Sequence, residues 1–298
     1  MLTTVPRQYV HKTAETEALL RGWQQDGENA FLATSLWPQA HSFYRPGHGL
    51  HDPMLFSESV RQAIPLVSHA GYGAPMDHRQ IWDTYRCAVF PDALRHEPVP
   101  AACSLRLSGT DVVMRSGRLS RMTLTATATR GDQHLGIAET QFTNHAPAIY
   151  QRLRGAGNDA PDAMARAVPL PAPIAPDQVG RIDPQDVVLA PGRAEMQWQL
   201  RVDVTHPVLF DHPVDHVPGM VLLEAARQAA HATMHPRPTV LTSLNARFTH
   251  FVEFDTPCWI TAEQGPVSAP GYETVRITAR QGDHVPFAAT VTSLVVSP

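Results

Sequence analysis

Glu58-Ser-Val-Arg61-Gln62-Ala63 and Glu224-Ala-Ala-Arg227-Gln228-Ala229 spell one pattern twice at an offset of 166 residues, and His69 and His235 keep that offset. His41 and His206 match it to within one residue. In a chain of 298 residues, a repeat on this scale means duplication of one unit. Whatever the fold, it must supply the same polar stripe in two places.

The second copy lies in a run from Met220 to Met234 that is apolar almost throughout, with Pro218-Gly219 in front and Pro236 behind. Proline fits the first turn of a helix and blocks continuation past the last, so the run predicts a buried helix of about four turns. Glu224, Arg227, Gln228 and His231 interrupt it at i, i+3, i+4 and i+7, which puts them on one face. Buried charge is costly unless it is paired or lines a cavity. One such stripe fits a structural Glu–Arg pair as well as a site; two copies argue for a site. The first copy predicts a helix over 53–70, with Asp52 as N-cap, Pro53 in the first turn, a kink at Pro65, and an end at Gly71-Tyr72-Gly73.

Strands fill most of the rest. Phe31 to Leu36 reads as a strand, 81–142 as antiparallel strands, and 16–23 as a short amphipathic helix. Met122, Leu124, Ala126 and Ala128 alternate with threonines over 119–129, and Arg130-Gly131-Asp132-Gln133 turns the chain into 134–143. Val275, Ile277 and Ala279, the turn Gln281-Gly282-Asp283, and Phe287, Ala289 and Val291 repeat this hairpin. Seven prolines between 146 and 185 mark a linker. The resulting domains are 1–150 and 180–298, joined by 151–179. One long helix wrapped by an antiparallel sheet is an α+β unit of the hotdog kind, and two fused copies predict a pseudo-dimer about a local two-fold axis, with further homo-oligomerisation open.

Composition narrows the function. Net charge is −4, Lys12 is the sole lysine, and the arginines are scattered, which speaks against a nucleic-acid partner. The first thirty residues hold no apolar core of a signal peptide, and no run is long enough to span a membrane. Cys87, Cys103 and Cys258 lie far apart, which suits a reducing cytoplasm and gives no zinc framework. His231-x-x-x-His235 and His212-x-x-x-His216 lack the context of a metal motif, so neither a metal nor a cofactor is expected.

Pro218-Gly219-Met-Val-Leu-Leu-Glu224-Ala-Ala-Arg-Gln228 resembles the Pro-Gly-x-Leu-x-x-Glu-Ala-x-x-Gln run of hotdog β-hydroxyacyl-ACP dehydratases, without their upstream His-Phe-Pro-Gly motif. A resemblance covering nearly the whole chain rests on Val10-His11-Lys12, Trp37-Pro38-x-x-His41-x-Phe43-Tyr44, Asp52-Pro53 to Gln62, and Phe210-Asp-His-Pro-Val-Asp-His-Val-Pro-Gly219. These look like the A-factor biosynthesis family, tandem-hotdog proteins that make γ-butyrolactone, furan or butenolide signals. The resemblance implies transfer of a 3-oxoacyl group from acyl carrier protein to the hydroxyl of dihydroxyacetone phosphate. It also implies functional roles for Glu58, Glu224 and Arg227.

That reaction needs a polarised carbonyl, a base and a grip on phosphate. The helix N-termini at Pro53 and Pro218-Gly219 offer backbone N–H groups for the first, with Gly219 allowing close approach. Glu58 or Glu224 would serve as base if burial raises its pKa, and only if it is not in tight contact with an arginine. Arg61, Arg227 or Arg45 would hold phosphate. Gln62, Gln228, His41, His212 and His216 complete the expected substrate-binding set. A hotdog thioester hydrolase or dehydratase, or a non-catalytic acyl-binding module, remains the alternative.

Overall fold

A computed structural model describes residues 2–155, 159–266 and 269–296. The chain divides into two compact units, Met1–Leu153 and Arg154–Pro298.

The first unit runs β1 (Thr3–Thr4), β2 (Leu20–Gln25), β3 (Ala30–Trp37), α1 (Met54–Leu66), β4 (Arg79–Val89), β5 (Ala101–Arg115), β6 (Arg118–Arg130) and β7 (Gln133–His145). Its strands pair antiparallel in the order β1-β2-β3-β5-β6-β7-β4. Alternation along β6 works as read: Met122, Leu124, Ala126 and Ala128 are all buried. Met54, Leu55, Phe56, Val60 and Ile64 of α1 are buried too, and the helix lies against β2, β3, β4 and β7. Pro65 cannot donate to the carbonyl four residues back. The helical chain nevertheless passes it without a break and widens into a single π turn over Val67–Gly71.

α2 (Pro147–Arg154) closes the first unit, all but its last residue. The second unit runs α3 (Ala160–Ala165), β8 (Leu189–Pro191), β9 (Gln197–Leu200), α4 (Gly219–Met234), β10 (Thr239–Phe248), β11 (Trp259–Gln264), β12 (Tyr272–Gln281) and β13 (His284–Val295). Its order, β10-β13-β12-β11-β9-β8, is that of β4-β7-β6-β5-β3-β2 in the first unit. α4 packs on β8 and β10 to β13. Duplication is therefore legible in topology as well as in the stripe.

One expectation changes. Residues 16–23 form no helix: a 3-10 turn covers Glu15–Glu17 and β2 begins at Leu20. The Gln62 side chain holds the backbone N–H groups of Leu19 and Leu20, and that claim overrides local helical periodicity. The proline-rich stretch read as a linker makes hydrogen bonds with the second unit. It carries α2 and α3, and Val168 N–H donates to Phe254 O and Ile174 N–H to Leu189 O. Arg201 Nε donates to Pro171 O at 3.1 Å. Proline's lost donors cost nothing where only carbonyls are needed.

Candidate functional site

The stripe on α1 folds inward around Glu58. Arg61 Nε donates to both Glu58 oxygens at 3.1 and 3.0 Å, and its Nη2 donates to Oε1 at 2.9 Å. Nη2 also donates to Val10 O at 2.9 Å. Gln62 Nε2 donates to Glu58 Oε1 at 2.8 Å and to Glu17 O at 2.7 Å. A second cation, Lys12 Nζ, stands 3.3 Å from Oε1.

α4 repeats this around Glu224. Arg227 Nε donates to Oε2 at 2.9 Å, and its Nη2 donates to Oε1 at 2.7 Å and to Val179 O at 3.2 Å. Gln228 Nε2 donates to Glu224 Oε1 at 2.6 Å and to Asp186 O at 2.8 Å, while its Oε1 accepts from Val188 N–H at 2.9 Å. The second cation is Arg181, whose Nε donates to Oε1 at 2.9 Å.

Val10, Lys12, Glu17 and Leu19 thus play the parts of Val179, Arg181, Asp186 and Val188, at an offset of 169 rather than 166. Both arms start with a 3-10 turn, Arg7–Val10 or Pro176–Val179, and then a left-handed residue, His11 at φ 53° or Gly180 at φ 63°. That twist aims a carbonyl and, two residues on, a cation at the same glutamate. Lys12, Arg181, Glu17 and Asp186 are what site reasoning missed; the Val-x-Lys and Val-x-Arg match at the second offset is the signal that finds them.

Both glutamates are buried. Burial pushes the Glu58 carboxyl up, but the charges of Arg61 and Lys12, with hydrogen bonds from Arg61 and Gln62, overcome it and lower its pKa to about 2. Glu224 is likewise brought to about 2, against burial, by Arg181 and Arg227 with hydrogen bonds from Arg227 and Gln228. The condition set for either as a base, a raised pKa away from arginine, is met by neither. What the arrangement offers is positive charge: each cluster sets one carboxylate against two cations. Arg61 and Arg227 remain 20% and 12% exposed, and among the described residues the hydrogen bonds of both leave Nη1 unused. An anion or a developing oxyanion is what such an edge accepts.

The histidines separate into two kinds. His41 Nδ1 accepts from the N–H groups of Phe43 and Tyr44 at 3.1 Å, and Nε2 faces Glu17 Oε2 at 3.3 Å. His206 does the same with Val208, Leu209 and Asp186 Oδ1. Both rings are buried and committed to bracing the pre-helix loop, which leaves His41 poorly placed for the substrate contact expected of it. His212 and His216 are part-exposed, at 35% and 28%. His212 Nδ1 is 3.6 Å from Asp211, whereas His216 Nδ1 is 2.8 Å from Asp215 Oδ1. Asp215 is held in turn by Arg154, Nε to Oδ2 at 3.0 Å, and Arg154 also pairs with Glu253.

The two helix N-termini differ as well. In α1, Asp52 Oδ1 already accepts from Met54 N–H at 2.9 Å, so that end has its anion. α4 opens at Gly219 after Pro218 with no side-chain cap among the described residues. His231, the last member of the stripe, turns away to Thr239 Oγ1 at 3.0 Å.

Among solved structures, the putative oleoyl thioesterase from Lactobacillus plantarum matches with a TM-score of 0.58 at 12% identity, over 90% of this chain and 97% of that one. The 12:0-ACP thioesterase from Umbellularia californica matches with a TM-score of 0.50 at 8% identity, over 89% and 94%. At such identity the likeness shows the fold alone. Sequence relatives are far nearer. A 2-oxo-3-(phosphooxy)propyl 3-oxoalkanoate synthase from Streptomyces virginiae is 42% identical over 98% of both chains. Proteins of the same name from Streptomyces coelicolor and Streptomyces griseus are 39% and 36% identical, over 96% and 95% of this chain and 90% and 93% of theirs. The AfsA description, A-factor biosynthesis hotdog domain, matches residues 1–145 and 163–297. With both halves matched and such relatives along its whole length, the chain belongs to the AfsA family of A-factor biosynthesis hotdog proteins.

Proposed function

We propose that this protein is an acyltransferase that joins a 3-oxoacyl thioester to the free hydroxyl of dihydroxyacetone phosphate. The observation that carries the reading is the 42% identity, end to end, with a synthase named for its product. A 2-oxo-3-(phosphooxy)propyl 3-oxoalkanoate is the ester of a 3-oxo acid with that triose phosphate. Its formation makes a C–O bond at the thioester carbonyl, breaks the C–S bond, and moves the hydroxyl proton to the departing sulfur. The product precedes γ-butyrolactone or butenolide signals, and the donor is an acyl carrier protein.

The clusters suggest a division of labour. Glu58 and Glu224, held ionised, serve as anchors that fix the guanidinium groups of Arg61 and Arg227. The Nη1 groups then take the phosphate or the oxyanion, worth about 1.5–3 kcal/mol per charge-assisted hydrogen bond. Gln62 and Gln228 lock the carboxylate rotamers from the other side. The proton passes through His216: donating from Nδ1 to Asp215 leaves Nε2 as the basic nitrogen. Uncapped backbone N–H groups at Gly219 suit the thioester carbonyl.

Mass spectrometry of a reaction containing a 3-oxoacyl thioester, with and without dihydroxyacetone phosphate, tests the proposal. The ester is expected only when both are present, with little free acid without the acceptor. Acceptor-independent release of the acid would make the protein a thioester hydrolase, and an untouched thioester would make it a binding module.

A further inference from the structure

Residues 112–131 hold four arginines and no carboxylate, in a chain of net charge −4. They belong to the β5–β6 hairpin, which turns at Ser116 and Gly117 with φ of 50° and 74°. Arg130 bends back to Glu97. Arg115, Arg118 and Arg121 are exposed, and none makes an ion pair with a carboxylate among the described residues. Register gathers them: Arg115 lies opposite Arg118, and Val113 opposite Arg121. Arg121 pairs with Thr143 on β7, and Arg79, also exposed, faces His145 across β7 and β4. Val113 stands among them, 41% exposed, while Met114, 46% exposed, lies on the other face of the hairpin opposite Leu119. The acidic groups nearby are few. Asp111 accepts from Thr123 Oγ1, Asp83 lies in the field of Arg121 and His145, and Asp77 is beside His78.

A basic face with an apolar knob complements an acidic helix that exposes apolar side chains. Resting on the acyl-transfer reading above, we propose that this hairpin end is where an acidic acyl carrier protein docks to deliver its thioester. Position favours it. His78 lies within the fields of Arg118 and His69, and His69 Nε2 is 2.9 Å from His11 Nε2. His11 adjoins Lys12, the partner of Glu58. Glu58 lies on the same helical stretch as His69.

The test compares two donors, a 3-oxoacyl carrier protein and the same acyl group on N-acetylcysteamine, with dihydroxyacetone phosphate as acceptor. In Arg115→Glu/Arg118→Glu/Arg121→Glu, KM for the carrier-bound donor should rise roughly tenfold or more, and its salt dependence should flatten, because exposed charges act on association. The small donor should react within about twofold of wild type. The triple lysine variant keeps the charge and should retain most of the carrier-bound rate. Unchanged KM for the carrier-bound donor, or equal losses on both donors in a folded variant, would overturn the docking assignment. No ester from either donor with the wild type would instead remove the acyl-transfer reading on which it rests.

Discussion

At the scale of single residues, Glu224 is held by two guanidinium groups and an amide, so its charge is structural before it is anything else. Glu224→Gln would leave Arg181, buried, and Arg227, half-buried, without their anion, and such losses typically cost about 3–5 kcal/mol. A clearly lowered unfolding midpoint in urea is therefore expected; a wild-type midpoint would show that the cluster contributes little. Arg181→Lys recreates the Lys12 arrangement of the first unit and should cost only about 1 kcal/mol, the order of one hydrogen bond. Much of this was legible in sequence. Helical spacing alone placed Glu58, Arg61 and Gln62 together, and Glu224, Arg227 and Gln228 together. What helical spacing cannot reveal is a partner arriving from another segment, which is why Lys12 and Arg181, and with them the depressed glutamate pKa, stayed hidden.

At the scale of elements, each helix depends on a short arm that supplies two carbonyls and one cation. In the second unit that arm pivots on Gly180, where an added Cβ would fall 3.1 to 3.3 Å from the His231 ring at φ +63°. Gly180→Ala should destabilise the protein by about 1–2 kcal/mol, the cost of the left-handed region for a side chain. Hydrogen exchange should rise along Val179–Val188; an unchanged melting temperature and exchange pattern would contradict the pivot. The strands were readable because their inward faces alternate cleanly, as in β6 and β12. The arms were harder to read: in the first, the 16–23 periodicity suggested a helix, and in the second, proline density suggested only a linker. In both, hydrogen bonds to a distant glutamine or arginine decide the conformation, and local pattern carries no trace of them.

For the whole molecule, buried titratable groups set the response to acid. His51, buried against Trp37 and His96, has its pKa lowered from 6.5 to about 4 by burial, then by the charges of His96 and Arg130. A histidine that stays neutral when folded lets the unfolded chain bind the extra proton. Stability should thus be level above about pH 6.5 and fall towards pH 4. The two glutamates, lowered from 4.5 to about 2, stabilise the fold above pH 4.5 and lose that contribution as pH falls through 2, which steepens the decline. Urea titrations across this range should show the two-part slope, with the upper part shallower in His51→Phe. A midpoint independent of pH between 6.5 and 4 would contradict the His51 assignment.

On the proposed reading, the surplus positive charge beside a fixed glutamate grips the phosphate of the acceptor. That grip is tested most directly by the ratio of kcat/KM for dihydroxyacetone phosphate to that for dihydroxyacetone, in the wild type, Arg61→Gln and Arg227→Gln. The wild type should favour the phosphate by roughly 100-fold or more, and at least one variant should lose most of that preference. A preference that survives intact in both variants, or is absent from the wild type, would take the phosphate role from both arginines.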